Sequence, residues 1–555
     1  MKESFATVLE TIADVRADRV AISHGDTDRT WAELDERASR LAGFLTAAGV
    51  GHDDRVAIGL YNGVEYLEAV FAILKVRAVP VNVNYRYRRE ELVGLLADSG
   101  AVAIFYDSSM ADRLGEARAD LPRLTTAVQL GTDVEVPDWA TGWDDALDTA
   151  PAPRIERGDD GWLMYTGGTT GKPKGVWAPH SWLFRTVCAN SYLLLGEPYP
   201  ESLDELRDAL RRLGPDRDTM VCLPAPPLMH GTGMYTSLGA LVAGGRVVYL
   251  ASKRYDPDEL AATIGRQRVT VVSVVGDVFA RPLADALDRA EAEGRPYDLS
   301  SLIRMISVGV TWSADVKQRL LHHADIVCRD SVAASEGGPF AIAETRRGDA
   351  ATTARFRLAP GARIVDEEGR DVVPGSGQVG MLAAPAIEGI GYAGDTSATA
   401  AVFREFDGRR WVVPGDMASL EADGTVVFQG RGSRVINTGG EKVFAEEVEQ
   451  LLLTHPAVRD AMVLGAPDER WGSRIVAVVA LRPGTTLTTE EARQFVGERL
   501  ADHKRPRDLV IVDQVRRSPS GKADLAWAKL VASGSPDPST GQQQPPLAAT
   551  DQEVR

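Results

Sequence analysis

An α/β fold is predicted for this chain, with a large N-terminal domain of two βα subdomains plus a small β-rich subdomain, and after it an α+β C-terminal domain. Three changes of texture carry that expectation. From Thr30 to Tyr106, helical patterns such as WAELDERASRLAGFLTAAGV alternate with short β-rich runs, RVAIGL, AVPVNV and AVAIFY. Such alternation builds βα units on a mostly parallel sheet. Beyond Phe356 the chain turns to short strands and turns, and past Gly432 it changes again.

The first rhythm returns in TMVCLPA, GRVVYL, TVVSVVGDVF and LIRMISVG, separated by the helical stretches DPDELAATIGRQR and FARPLADALDRAEAEG. That repetition predicts the second βα subdomain. GARIVDEEGRDVVPGSGQVGML and DGTVVFQGRG then read as the β-rich subdomain. AEEVEQLLLTHPAV has the spacing of an amphipathic helix and IVAVVAL that of a strand, which predicts a separate α+β domain of about 100 residues. The expected boundaries are 1–431, a joint at 432–433, 434–531, and a tail over 532–555 whose Ser, Pro, Gly and Gln content predicts disorder.

Composition narrows the function classes. The 555 residues exceed one ordinary core, and 44% hydrophobic with 25% charged residues is the make-up of a soluble globular protein. No apolar run approaches the roughly 18 residues that span a bilayer, so no stable membrane insertion is expected. The N-terminus lacks the apolar core of a secretory signal, which predicts a cytoplasmic protein. A net charge of −17 repels a phosphate backbone, so nucleic acid is not an expected partner. Cys188, Cys222 and Cys328 are far apart and read as buried free thiols rather than a disulfide or metal framework.

The stretch richest in chemistry is YTGGTTGKPKG, residues 165–175. Its glycines let backbone amides approach an anion, and threonine hydroxyls and lysine ammoniums add donors. It is not a Walker A loop, because the first glycine of that motif is missing and Pro173 follows Lys172 where Ser or Thr belongs. A plain glycine-rich turn between strands is the alternative on glycine content alone.

YTGGTTGKPKG resembles the phosphate-binding signature of the adenylate-forming superfamily, which includes acyl-CoA synthetases, luciferases and nonribosomal adenylation domains. The resemblance continues in order through PLMHGTG (227–233), SVGVTWS (307–313), DSVAASEGG (330–338), GYAGDTSATAAVF (391–403), WVVPGD (411–416), GRGSRVINTGGEKVFAEEVE (430–449) and RRSPSGK (516–522). NVNYRY, PLMHGTG and INTGGEKVFAEEVE look most like bacterial fatty-acyl and steroid-side-chain CoA ligases.

The resemblance implies a two-step reaction: a carboxylate attacks the α-phosphate of ATP, then the CoA thiol displaces AMP. Thr166, Gly167, Gly168, Thr169, Thr170, Gly171 and Lys174 would hold the nucleotide phosphates, with Thr166 also acting in catalysis. Glu336, after Ser335, matches the residue that binds Mg2+, a hard cation suited to oxygen ligands. Asp416 would accept from both ribose hydroxyls, as a carboxylate can, and Arg431 would support the nucleotide from the other side. Lys522 matches the lysine bridging carboxylate and α-phosphate. So remote a lysine implies a mobile C-terminal domain that turns about Gly432 and Ser433 and then presents Gly439, Gly440 and Lys442 to CoA. His230 would stand at the acyl-pocket mouth, while Gly309, Val332 and Ala333 line the pocket and adenine cleft together with Val308 and Val310.

The chain also departs from the family pattern. Val332-Ala333-Ala334-Ser335-Glu336 stands where most relatives have Tyr-Gly-x-Thr-Glu, and SVGVTW replaces a Gly-Gly-Ala-Pro-like run. The acceptor side is therefore altered, and three readings stay open: a ligase joining a fatty, steroid-like or aromatic acid to CoA, a diazotase that activates nitrite for an aromatic amine, and a non-catalytic nucleotide-binding scaffold. A homodimer is left open.

Overall fold

The computed structural model describes residues 3–166, 174–213, 220–438, 441–468, 472–500, 502–518 and 523–534. Its contacts divide the chain into two compact units. The first takes the chain up to Ala351 together with Ala384–Val412, and the second takes Thr352–Ala383 and the described residues from Val413 on.

The first unit holds two sheets. In the eight-stranded one, Gly161–Thr166, Val79–Asn82, Arg55–Gly59, Ala103–Asp107 and Thr126–Leu130 run parallel as neighbours in that order. Val79–Asn82 and Ala103–Asp107 are buried along their whole length, as strands covered on both faces should be. Leu92, Leu95 and Leu96 of the helix Arg89–Ser99 join Ile104, Val81 and Tyr106 in one core. Past Thr166 the sheet turns antiparallel: Lys174–Pro179 pairs with Gly161–Thr166, and Gly391–Tyr392 pairs with Lys174–Pro179.

In the second sheet, Val20–His24, Arg246–Tyr249, Val221–Pro224, Val271–Val274, Arg304–Val308 and Val327–Ala334 are parallel neighbours in that order, and Gly337–Thr345 pairs antiparallel with the last of them. Both predicted helices form. Pro257–Arg266 starts on the Asp256 cap, and Gly276–Ala292 buries Phe279, Leu283 and Leu287 against the strands. Cys222 and Cys328 are buried free thiols, each pushed up to about 12 by burial.

The second unit begins with short antiparallel strands, among them Arg363–Val365, Asp416–Leu420 and Val426–Arg431. A hairpin of Val435–Thr438 and Glu441–Phe444 follows, then a sheet of Val458–Asp468, Gly472–Leu481 and Asp508–Val512. IVAVVAL is buried on both faces. Ile475, Ala477 and Val479 pack toward Val448 and Leu452 of the helix Ala445–Leu453, while Val476, Val478 and Ala480 pack toward Trp527 and Val531 of the helix Leu525–Ala532. The expected tail lies outside the described residues from 535 on, and Ala532 closes that last helix. Among the described residues no helix is long and apolar enough to cross a membrane.

Candidate active site

The residues singled out in the first unit cluster at the carboxyl ends of its parallel strands, where open α/β sheets bind ligands. Thr166 ends Gly161–Thr166, His230 follows Val221–Pro224, Gly309 follows Arg304–Val308, and Val332 and Ala333 lie at the end of Val327–Ala334. Gly309 takes φ +104°, a left-handed conformation that any side chain would strain. Ala333 sits where the pairing register shifts between Val332 and Ala334, and Ser335 and Glu336 form the turn beyond it.

Thr166 and Lys174 are direct partners in the antiparallel ladder, so the chain leaves the sheet and returns to it at adjacent positions. Gly167, Gly168, Thr169, Thr170 and Gly171 lie outside the described residues. Lys174 Nζ reaches Asp395 Oδ2 at 3.4 Å and stands 5.3 Å from the centre of the Tyr392 ring. Asp395 caps the helix Thr396–Val402. The amide of Ala398, the Ser397 hydroxyl and Lys174 hold its carboxyl below the usual range.

Tyr392 connects this lysine to the acidic residue. Its backbone pairs with Val176, two residues beyond Lys174, and its hydroxyl donates to Glu336 Oε1. On the helix Gly231–Val242, which starts just after His230, burial pushes the Tyr235 phenol well above the ordinary range, and the Glu336 charge adds to the shift. Lys174, Tyr392 and Glu336 thus form one linked set.

Two asparagines fix the backbone beneath it. Buried Asn82 donates to the carbonyls of Tyr165 at 2.8 Å and Met229 at 2.6 Å, and accepts from the Tyr165 amide at 2.6 Å. It therefore ties the residue before Thr166 to the residue before His230. Asn62 accepts from the Leu228 amide at 2.7 Å and donates to the Pro226 carbonyl at 3.2 Å.

Sequence reasoning gave no role to Tyr392, Asp395, Asn82 or Tyr235. The first three lie inside quoted stretches, GYAGDTSATAAVF and NVNYRY, which was the available signal; Tyr235 lies two residues past PLMHGTG. The same reasoning left Asp330 aside. It is buried against Lys317 Nζ at 2.9 Å, with its carboxyl raised by desolvation that the lysine only partly offsets.

In the second unit Asp416, 3% exposed, opens the strand Asp416–Leu420 opposite Arg431, the last residue of Val426–Arg431. Arg431 Nε donates to Asp416 Oδ1 at 3.0 Å, so one carboxylate oxygen already carries a charged partner. Gly430 has φ +102°, and a Cβ there would come within 2.2 Å of Glu446 Oε2, which makes glycine the residue for this position. Gly432–Arg434 form a helical turn, and Arg434 bonds Glu446 at 2.9 Å, Glu449 at 2.5 Å and the Val463 carbonyl at 3.0 Å. Lys442 lies on Glu441–Phe444 opposite Asn437. Gly439, Gly440 and Lys522 lie outside the described residues; the chain around Lys522 leaves at Arg517 and returns at Ala523, which bridge antiparallel.

Comparison with known proteins gives this arrangement a family. Residues 9–384 match the family model described as AMP-binding enzyme, and residues 447–522 match that of the AMP-binding enzyme C-terminal domain. The chain belongs to the AMP-binding enzyme family. Among relatives of this AMP-binding enzyme, 3-oxocholest-4-en-26-oate--CoA ligase of Rhodococcus rhodochrous is 37% identical over 541 residues, 95% of this chain and 96% of that one. Medium-chain acyl-CoA ligase Mig of Mycobacterium avium is 38% identical over 544 residues, 94% and 97% of the two. The crystal structure of the anthranilate CoA ligase AuaEII with anthranoyl-AMP shares the fold, with a TM-score of 0.77 at 22% identity over 96% of this chain and 98% of that one.

Proposed function

We propose that this AMP-binding enzyme activates a carboxylic acid with ATP as an acyl-adenylate and passes the acyl group to CoA. The carrying observation is the linked set at the strand ends, in which Tyr392 joins Lys174, at the foot of the 167–173 segment, to Glu336. The likeness to relatives named as CoA ligases over nearly the whole chain supports the same reading.

In this reading Thr166, Thr169, Thr170 and Lys174 hold the β- and γ-phosphates with donors fixed before the reaction, which lowers the cost of charge building on the leaving pyrophosphate. The carboxylate oxygens of Glu336 are hard donors that suit Mg2+, which supplies charge neutralisation on the phosphates when bound. Asp416 accepts from the ribose hydroxyls and Arg431 keeps its carboxylate oriented. Gly309, Val332, Ala333 and Ser335 flank the adenine and acyl groups, and His230 stands at the mouth of the acyl site. Lys522 neutralises charge between the acid and the α-phosphate in the first step. Turning about Gly432 and Ser433 then removes it and brings Gly439, Gly440 and Lys442 to the CoA arm.

The acid is a medium- or long-chain fatty acid or a steroid side-chain acid, the classes for which the relatives are named, and the enzyme works in the cytoplasm, where ATP and CoA are supplied. Pyrophosphate release is the direct test, run over fatty, steroid-like and aromatic acids with and without CoA, and over nitrite with an arylamine. Release with fatty or steroid-like acids and a CoA thioester product is expected. Release with nitrite and none with carboxylates would transfer the enzyme to diazotase chemistry.

A further inference from the structure

Away from that site, two neighbouring helices of the first unit end with their last turns side by side and bring together groups of a different chemistry. Glu291 lies in the last turn of Gly276–Ala292, and His322 and His323 close the helix Ala314–His323. Glu291 Oε2 lies 3.3 Å from His322 Nε2 and 3.7 Å from His323 Nδ1, and the three ligand atoms fall within 4.8 Å of one another. With bonds of about 2.1 Å to a tetrahedral metal, neighbouring ligand atoms sit about 3.4 Å apart. Both carboxylate–imidazole separations match that spacing.

The surroundings are those a metal-bound imidazole uses. His323 Nε2 lies 2.7 Å from Asp288 Oδ1, one turn before Glu291 on the same helix, and Asp288 is held by Arg319 at 2.8 Å. With Asp288 accepting from Nε2–H, the Nδ1 lone pair is left available to a metal, the arrangement in which a carboxylate orients a metal-bound imidazole. His323 is 8% exposed, so the ring is held in place, whereas His322, at 68%, and Glu291, at 53%, leave room for a water as fourth ligand. Other charges nearby are already engaged: Arg319 also binds Asp285, and Arg347 donates to the Leu321 and His322 carbonyls.

We propose that Glu291, His322 and His323 form a binding site for a divalent transition metal of the zinc class, with Asp288 as its positioning residue. Two imidazoles and one carboxylate suit zinc and disfavour magnesium and calcium, which prefer oxygen ligands throughout. The site ties together the ends of two helices that pack on the second sheet.

Isothermal titration of chelator-treated full-length protein with zinc chloride, in excess magnesium, tests this, with thermal unfolding read alongside. One zinc per chain and a raised unfolding midpoint are expected. His322→Gln and Glu291→Gln, both exposed and tolerant of change, should each weaken binding more than tenfold, and Asp288→Asn by about tenfold. Pyrophosphate release should be unaffected in all three. No zinc binding in excess magnesium, or wild-type affinity in His322→Gln and Glu291→Gln, which would mark adventitious binding elsewhere, would each overturn the site.

Discussion

Replacing Tyr392 with Phe isolates the link between the lysine and the acid. The ring, its contact with Lys174 and the pairing with Val176 all remain, and only the hydroxyl that donates to Glu336 is lost. A hydrogen bond to a charged group is worth about 1.5–3 kcal/mol, which corresponds to roughly a tenfold to hundredfold change in rate. Tyr392 and Glu336 are both only half-buried, so water recovers part of the loss and a change near tenfold is expected. The loss should fall on adenylate formation, measured as pyrophosphate release, and should appear mainly as a higher requirement for magnesium with little change in KM for the acid. Transfer to CoA from chemically made acyl-adenylate should proceed at the wild-type rate. Tyr392→Ala, which also strips the ring from Lys174, should be worse. If Tyr392→Phe matches wild type at limiting magnesium, or slows both half-reactions equally, Tyr392 does not position Glu336 for phosphate chemistry.

Asp416→Ala should raise the ATP requirement by roughly tenfold to a hundredfold, because ribose donors would be left unpaired at a buried site at about 1–3 kcal/mol; unchanged ATP dependence would refute the ribose role. Lys522→Ala should slow adenylate formation about a hundredfold, the worth of one preorganised donor, while sparing CoA transfer from preformed adenylate. Equal loss in both halves would indicate a structural lysine. His180 is fully buried, and desolvation pulls its imidazole down to about 4, so the unfolded chain takes up the proton first. Its contribution is intact above pH 6.5 and is lost as pH falls from there toward 4, by about 3 kcal/mol in total. His180→Gln should flatten that part of the curve of unfolding midpoint against pH, and an unchanged curve would refute it.

The fold was legible because its signals are local. Most β-rich runs contain a strand, but TVVSVVGDVF holds only Val271–Val274 before the helix Gly276–Ala292 begins, and AEEVEQLLLTHPAV is helical only as far as Leu453. The site was legible only as far as its motifs are continuous. Thr166 and Lys174 come together because they pair directly across one antiparallel ladder, and Asp416 meets Arg431 because they face each other across another. Asn82 could not be found this way. It bonds partners 83 and 147 residues away, and nothing in the period of NVNYRY distinguishes a clamp from an ordinary strand end. Tyr392 is a similar case: its hydroxyl reaches 56 residues back to Glu336 through a strand of only two residues, too short to leave a pattern.

The bonding around Gly432 limits what the proposed rotation can move. Arg434 is held by two glutamates and a carbonyl belonging to the helix Ala445–Leu453 and the strand Val458–Asp468, so it has to travel with them. Asp416 and Arg431 are bound to each other across the preceding strands and have to stay together. Only Gly432 and Ser433 stand between these two anchored groups. Glu446 lies close against the backbone at Gly430, across that same point. Burial raises the Glu446 carboxyl, and the charge of Arg434 pulls against that rise.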